Sequence, residues 1–174
     1  MTEEKLQIWD RQRRRYYVAQ PEERIRQRLV DYLVEVLGFP KSTLLVEKGL
    51  KELPHLSHVS GLPNRRVDIV CYGRDIHPEH RLYPLLLIEC KAVPLSARVQ
   101  QQVVGYNHYV GAYFLAIANE DQIEWASFSA EQQRYIFQAG LPTYESLLSH
   151  LGLMSSRASG DSSKMAAGPA PFGV

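Results

Sequence analysis

The segment LLLIECKAVP, residues 85–94, opens with four apolar residues and then sets a carboxylate, Glu89, two positions before an amine, Lys91. Side chains alternate faces along a strand, so Glu89 and Lys91 share one side and Cys90 points to the other. A second acid stands in VDIVCY, residues 67–72, where Asp68 falls on the face of Val70 and Tyr72. If these two strands are neighbours, Asp68 lies beside Glu89, and two carboxylates that close repel each other unless a cation sits between them. Oxygen donors with no Cys or His at ligand spacing suit Mg²⁺ or Mn²⁺ rather than Zn²⁺. Lys91, on the same face, would meet a metal-bound water or a substrate phosphate. Those parts suffice for metal-assisted attack of water on a phosphodiester. The plain alternative is a strand-end ion pair with a stray surface aspartate. The spacing E-x-K is weak by itself, since Glu3 and Lys5 also match it; only the second match ends an apolar strand and has an upstream Asp on another.

The surrounding pattern supplies elements able to hold these groups. PEERIRQRLVDYLVEVLGF, residues 21–39, opens on Pro21, carries acids in its first turn, repeats Ile25, Leu29, Leu33, Val36 and Leu37 at helical spacing, and closes at Gly38 and Pro40. STLLVEKGL, RRVDIVCY and LLLIECKA read as strands, with a loop over 52–64 and a turn at RDIHPEHRLYP. The helix ARVQQQVVGYNHYV, the strands AYFLAIAN and QIEWASF, and the short helix TYESLLSHL follow. This order predicts an α/β domain with a central mixed β-sheet flanked by helices.

The chain of 174 residues, 45% hydrophobic, can bury one good core. A formal net charge of +1 names no partner, so nucleic-acid affinity must come from a local patch. Two cysteines, Cys71 and Cys90, are too few for a disulfide framework, and no stretch has the apolar length of a membrane span. The opening MTEEKLQIWD lacks the base-then-apolar pattern of a secretory signal, so a cytoplasmic location is expected. Residues 153–174, rich in Ser, Gly, Ala and Pro, are expected to be disordered.

Asp68 followed by Glu89-Cys90-Lys91 resembles the PD-(D/E)XK nuclease superfamily. More narrowly, PEERIRQRLVDYLVEVLGFPKS, RRVDIVCYGRD, LLLIECKA and QQVVGYN resemble the N-terminal nuclease domain of type I restriction enzyme R subunits. The resemblance implies a restriction-endonuclease-like core over residues 16–152 that hydrolyses phosphodiester bonds in DNA. It implies Mg²⁺ (or Mn²⁺) held by Asp68, Glu89 and the backbone carbonyl of Cys90, with Lys91 orienting or helping to deprotonate the attacking water. It also implies a Glu from the first helix, for which family alignment favours Glu23 and helical spacing favours Glu22, and a glutamine, Gln102, near the carboxylates or a DNA phosphate. Val67 stands where the hallmark Pro would precede the Asp. No G-x-x-x-x-G-K-[ST] occurs, so no nucleotide cofactor is expected in this chain, and partners would be DNA and other subunits of a larger assembly. The alternative function is a catalytically silent nucleic-acid-binding or protein-interaction module that keeps the nuclease fold.

RQRRRYY, residues 11–17, belongs to a basic N-terminal arm over residues 1–15, whose Arg13, Arg14 and Arg15 are candidates for phosphate contact, against the plainer reading of a solvated lead-in to the helix. The pairs His55-x-x-His58 and His77-x-x-His80 lack cysteines at ligand spacing, which predicts structural or solvent-facing histidines.

Overall fold

The computed structural model describes residues 6–152. The expected tail over 153–174 lies outside the described residues.

A short hairpin comes first, β1 (Gln7–Asp10) and β2 (Arg15–Val18), followed by α1 (Pro21–Glu35). The hairpin crosses the boundary expected between residues 15 and 16, so most of the arm is folded against the domain. Pro21 needs no N–H at the first helical position, which lets α1 start there. The helix stops at Glu35, earlier than the pattern predicts, and the chain turns away through Gly38 at φ +72°, a left-handed conformation that glycine tolerates.

Then come β3 (Leu44–Gly49), β4 (Arg66–Arg74), β5 (Leu82–Cys90), α2 (Ala97–Val110), β6 (Phe114–Ala118), β7 (Ile123–Ser129), β8 (Arg134–Ala139) and α3 (Tyr144–His150). The last six strands form one sheet in the order β3-β4-β5-β6-β7-β8, antiparallel throughout except for β5 and β6. That parallel pair needs a crossover, and α2 is the crossover. The sequence pattern does not anticipate β8, an edge strand with no fully buried residue and hence no alternation to read.

Alternation along the strands divides the core. Ile69, Cys71, Leu86 and Ile88 pack with Ile25, Leu29 and Leu33 of α1 and with Leu147 of α3. Val70, Tyr72, Leu87, Leu115 and Ile117 pack on the other face with Val99, Val103 and Val110 of α2. The result is the expected α/β core, a mixed sheet between helical layers. Both cysteines are buried and free. No helix among the described residues is long and apolar enough to cross a membrane.

His55 ties the loop before β4 to the end of α2. Its Nε2 lies 2.7 Å from the Val110 carbonyl and its Nδ1 3.0 Å from the Tyr72 hydroxyl. A carbonyl only accepts, so Nε2 carries the proton and, in the neutral ring, Nδ1 accepts from Tyr72. Burial pushes the His55 pKa down, against the pull of the Val110 carbonyl. The unfolded chain therefore takes this proton first. The contribution of His55 is complete above its unfolded value of about 6.5 and is lost as pH falls through the lower folded value. In urea unfolding at pH 7.5 and pH 5, His55→Gln should lose less stability over that interval than the wild type. Equal losses would show that His55 is not the group responsible.

Candidate active site

The site forms where the β4 and β5 ladder ends. Ile69 lies opposite Ile88 and Val70 opposite Leu87, so one further step in register sets Asp68 across from Glu89. On the other side of β4, Val46 pairs with Ile69 and Lys48 with Val67, which sets Glu47 across from Asp68. Three neighbouring strands thus bring Glu47, Asp68 and Glu89 into one row. Asp68 secures the strand end by accepting the Cys90 N–H on Oδ2 at 2.7 Å.

Helix α1 lays a second set of charges over this row. Arg26, one turn after the helix start, donates from Nη2 to Asp68 Oδ1 at 2.7 Å and from Nη1 to Glu23 Oε2 at 2.5 Å, and pairs with Glu47 Oε1 at 2.7 Å. Its side chain is only 8% exposed, so one guanidinium is shared among three acids in a nearly dry position. Burial acts to lower the Arg26 pKa, but Asp68 and Glu47 outweigh it and the net shift is upward. Glu23 also accepts from Gln27 at 2.8 Å and from Arg13. Of the two candidates in the first turn, Glu23 is buried against this network, whereas Glu22 is half-exposed.

Glu89 faces the α2 side of the sheet. Its Oε1 accepts from Lys91 Nζ at 2.8 Å and from Gln102 Nε2 at 3.3 Å. Burial raises the Glu89 pKa most, the nearby Asp68 raises it further, and Lys91 pulls it back. For Lys91, burial acts to lower the pKa, but the hydrogen bond and charge of Glu89 prevail, so the amine is held as an ammonium. Gln100 turns to Glu124 on β7, at 2.8 Å, which separates it from Gln102. Tyr106, one turn after Gln102, carries the Arg65 guanidinium 5.5 Å from its ring centre.

Residues 21–142 match the family described as Type I restriction enzyme R protein N terminus. The chain belongs to that family. No curated protein and no solved structure matches it. The matched span of this R-protein N-terminal domain holds Glu23, Arg26, Glu47, Asp68, Glu89, Cys90, Lys91 and Gln102 together. Its sheet and helices are those of a restriction-endonuclease-like core, in agreement with the PD-(D/E)XK reading.

Two residues of this domain's site escape the sequence pattern. Arg26 reads as one of several surface cations on a charged helix, and Glu47 as the polar position of an ordinary strand. A lone charge in an otherwise apolar strand is the signal that marks Asp68, and Glu47 lacks it because Lys48 follows directly. The basic run divides by direction. Arg13 turns inward, its Nε 2.5 Å from Asp10 Oδ2 and its other end on Glu23, with only 10% of the side chain exposed. Arg14 and Arg15 face solvent.

Proposed function

We propose that this domain is a metal-dependent nuclease that hydrolyses phosphodiester bonds in DNA, working in the cytoplasm with the other subunits of a type I restriction assembly. The observation that supports this best is the meeting of Asp68 and Glu89 across one strand end, with Lys91 and Gln102 on Glu89.

The donor set fits Mg²⁺ or Mn²⁺. Asp68 and Glu89 provide only hard oxygens; burial first and the charge of Asp68 second raise the Glu89 pKa, and a divalent ion beside both acids would offset that repulsion. Each carboxylate also keeps acceptor capacity, because the bonds to Glu89 fall on Oε1 and Asp68 has three donors for about four lone-pair sites. Asp68, Glu89 and the Cys90 carbonyl would hold the ion, which lowers the pKa of bound water and offsets charge on the phosphate. Lys91, kept protonated by Glu89, orients the water or the phosphate oxygens as a cation rather than taking up a proton. Gln102 fixes the Glu89 carboxylate. Arg14 and Arg15 supply phosphate contacts beside the site.

Arg26 favours a second reading, a silent DNA-binding or interaction module, because its guanidinium already neutralises Asp68. Plasmid and single-stranded DNA incubated with Mg²⁺ or Mn²⁺ separate the two. The nuclease reading expects cleavage that requires the ion and falls at least about a hundredfold in Asp68→Ala. DNA binding without cleavage, equal in wild type and variant, would establish the silent module.

A further inference from the structure

The turn between β4 and β5 holds a second group of ligating side chains. His77, Glu79 and His80 each offer one ligand atom, and these atoms all lie within 4.8 Å of one another. The sequence pattern assigns these histidines to a solvent-facing loop because no cysteine stands at ligand spacing, but it does not show that Glu79 joins them. Imidazole nitrogens and a carboxylate are a sufficient set for a transition metal without thiolates.

The turn is held in shape by contacts that do not use these ligands. Ile76 is buried in the core, and its carbonyl accepts from the Tyr113 hydroxyl at 3.1 Å. Asp75 adopts φ +55° and its N–H donates to the Arg81 carbonyl at 2.9 Å, closing the loop. A Cβ added at Gly73 would come within 2.6 Å of Ile76, so the strand and the turn are pressed together. The His77 ring stacks on Tyr83 with centres 4.2 Å apart, and the His80 ring lies 4.9 Å from that of His77. Much of the ordering that binding would otherwise require is therefore already in place.

The ligand atoms themselves are hardly engaged. Among the described residues, neither the Glu79 carboxylate nor the His80 ring makes a hydrogen bond or ion pair, and His77 Nδ1 accepts only a long 3.2 Å contact from the Glu79 N–H. Neighbouring ligands around a tetrahedral Zn²⁺ stand about 3.4 Å apart for metal–ligand bonds of about 2.0–2.1 Å. The ligand atoms, all within 4.8 Å of one another, draw together to reach that value on binding.

We propose that His77, Glu79 and His80 form a binding site for one transition-metal ion of the Zn²⁺ class. Three protein ligands leave a coordination position for water, and the ion clamps the β4–β5 turn. The site is separate from the acids at the far end of the same hairpin. Asp68 and Arg74 are six residues apart on β4, about 20 Å at the usual rise per strand residue. It prefers nitrogen and so differs in chemistry as well as position, which makes excess Mg²⁺ a poor competitor.

The test is equilibrium dialysis of the full chain, free of any histidine tag, against Zn²⁺ in excess Mg²⁺, with Co²⁺ absorption as a second reading of the ligand field. Wild type should retain one Zn²⁺ per chain and unfold at a higher temperature with it. His80→Ala should weaken binding about a hundredfold or more, Glu79→Gln at least about tenfold, and each should gain correspondingly less thermal stability than wild type at the same Zn²⁺ concentration. Glu79 is exposed, so Glu79→Gln reads the site without disturbing the fold, and His58→Ala should bind like wild type. Absence of Zn²⁺ binding in the wild type, or equal binding by wild type, His80→Ala and Glu79→Gln, would overturn the proposal. DNA cleavage is not a readout here, so the result stands apart from the nuclease reading.

Discussion

Plasmid cleavage by Lys91→Met should be slower than wild type by about a hundredfold to a thousandfold, the usual cost of removing one pre-positioned donor from a reacting centre. The unfolding midpoint should fall less than in Arg26→Met. Lys91 is 22% exposed in its side chain, so water already screens the amine, while Glu89, at 10%, loses one of its two partners. Glu89 also keeps Gln102 when the amine is gone. DNA affinity should change little, since a single cation is lost from a surface that retains Arg14, Arg15 and Arg65. The shape of the pH profile decides the role. Glu89 raises the Lys91 pKa, so an orienting ammonium persists across neutral pH and into the alkaline range, and cleavage should lose nothing on this account until pH passes the ordinary lysine value of about 10.4. A rate that climbed with pH through the titration of Lys91 would mark it as a base instead. Lys91→Arg should not restore the rate, because a planar fork replaces a compact charge that fits beside Glu89. Cleavage by Lys91→Met within a few-fold of wild type would remove Lys91 from the chemistry altogether.

The acids and the amine on β4 and β5 were legible in the sequence because charge inside an apolar strand is costly, and residues that break the pattern at that cost announce themselves. Glu89 and Lys91, joined by a hydrogen bond, share one face as strand alternation requires. The helices α1 and α2 were legible for the related reason that each buries one stripe. What remained hidden depends on pairing between distant segments. Glu47 becomes a neighbour of Asp68 only through the register of β3 on β4, and no local pattern encodes register. Arg26 shares its helix with Arg24 and Arg28, and only the approach of α1 to the strand ends selects one of the three for burial. The choice between Glu22 and Glu23 failed on periodicity for a related reason. Glu23 is drawn inward by Arg13, Arg26 and Gln27, and a buried charge follows its partners rather than the apolar stripe. The hairpin of β1 and β2 shows no strand pattern in the sequence because Asp10 and Arg13 face inward where a core strand would have apolar residues.

Arg26→Met should destabilise the fold by about 3–5 kcal/mol, the cost of leaving buried charge without its partner. The comparison with Lys91 rests on access to water. The Arg26, Glu23, Glu47 and Asp68 side chains are 8%, 8%, 18% and 14% exposed, so solvent can replace little of what the guanidinium provides. The loss falls unevenly. Glu23 keeps Arg13 and Gln27, and Glu47 keeps Arg66, while Asp68 keeps only the Cys90 N–H. Most of the cost should therefore come from Asp68, and a double-mutant cycle isolates it. Asp68→Asn retains an oxygen for the Cys90 N–H but needs no cation, so Arg26→Met combined with Asp68→Asn should be more stable than Arg26→Met alone, a coupling of about 1–3 kcal/mol in chemical denaturation. Arg26→Lys should recover only part of the loss, because one ammonium cannot reach three carboxylates on two sides of the strand row as the fork does. If the single and double changes were simply additive, Arg26 would be holding α1 by packing, and the row of acids would owe its compensation to another cation.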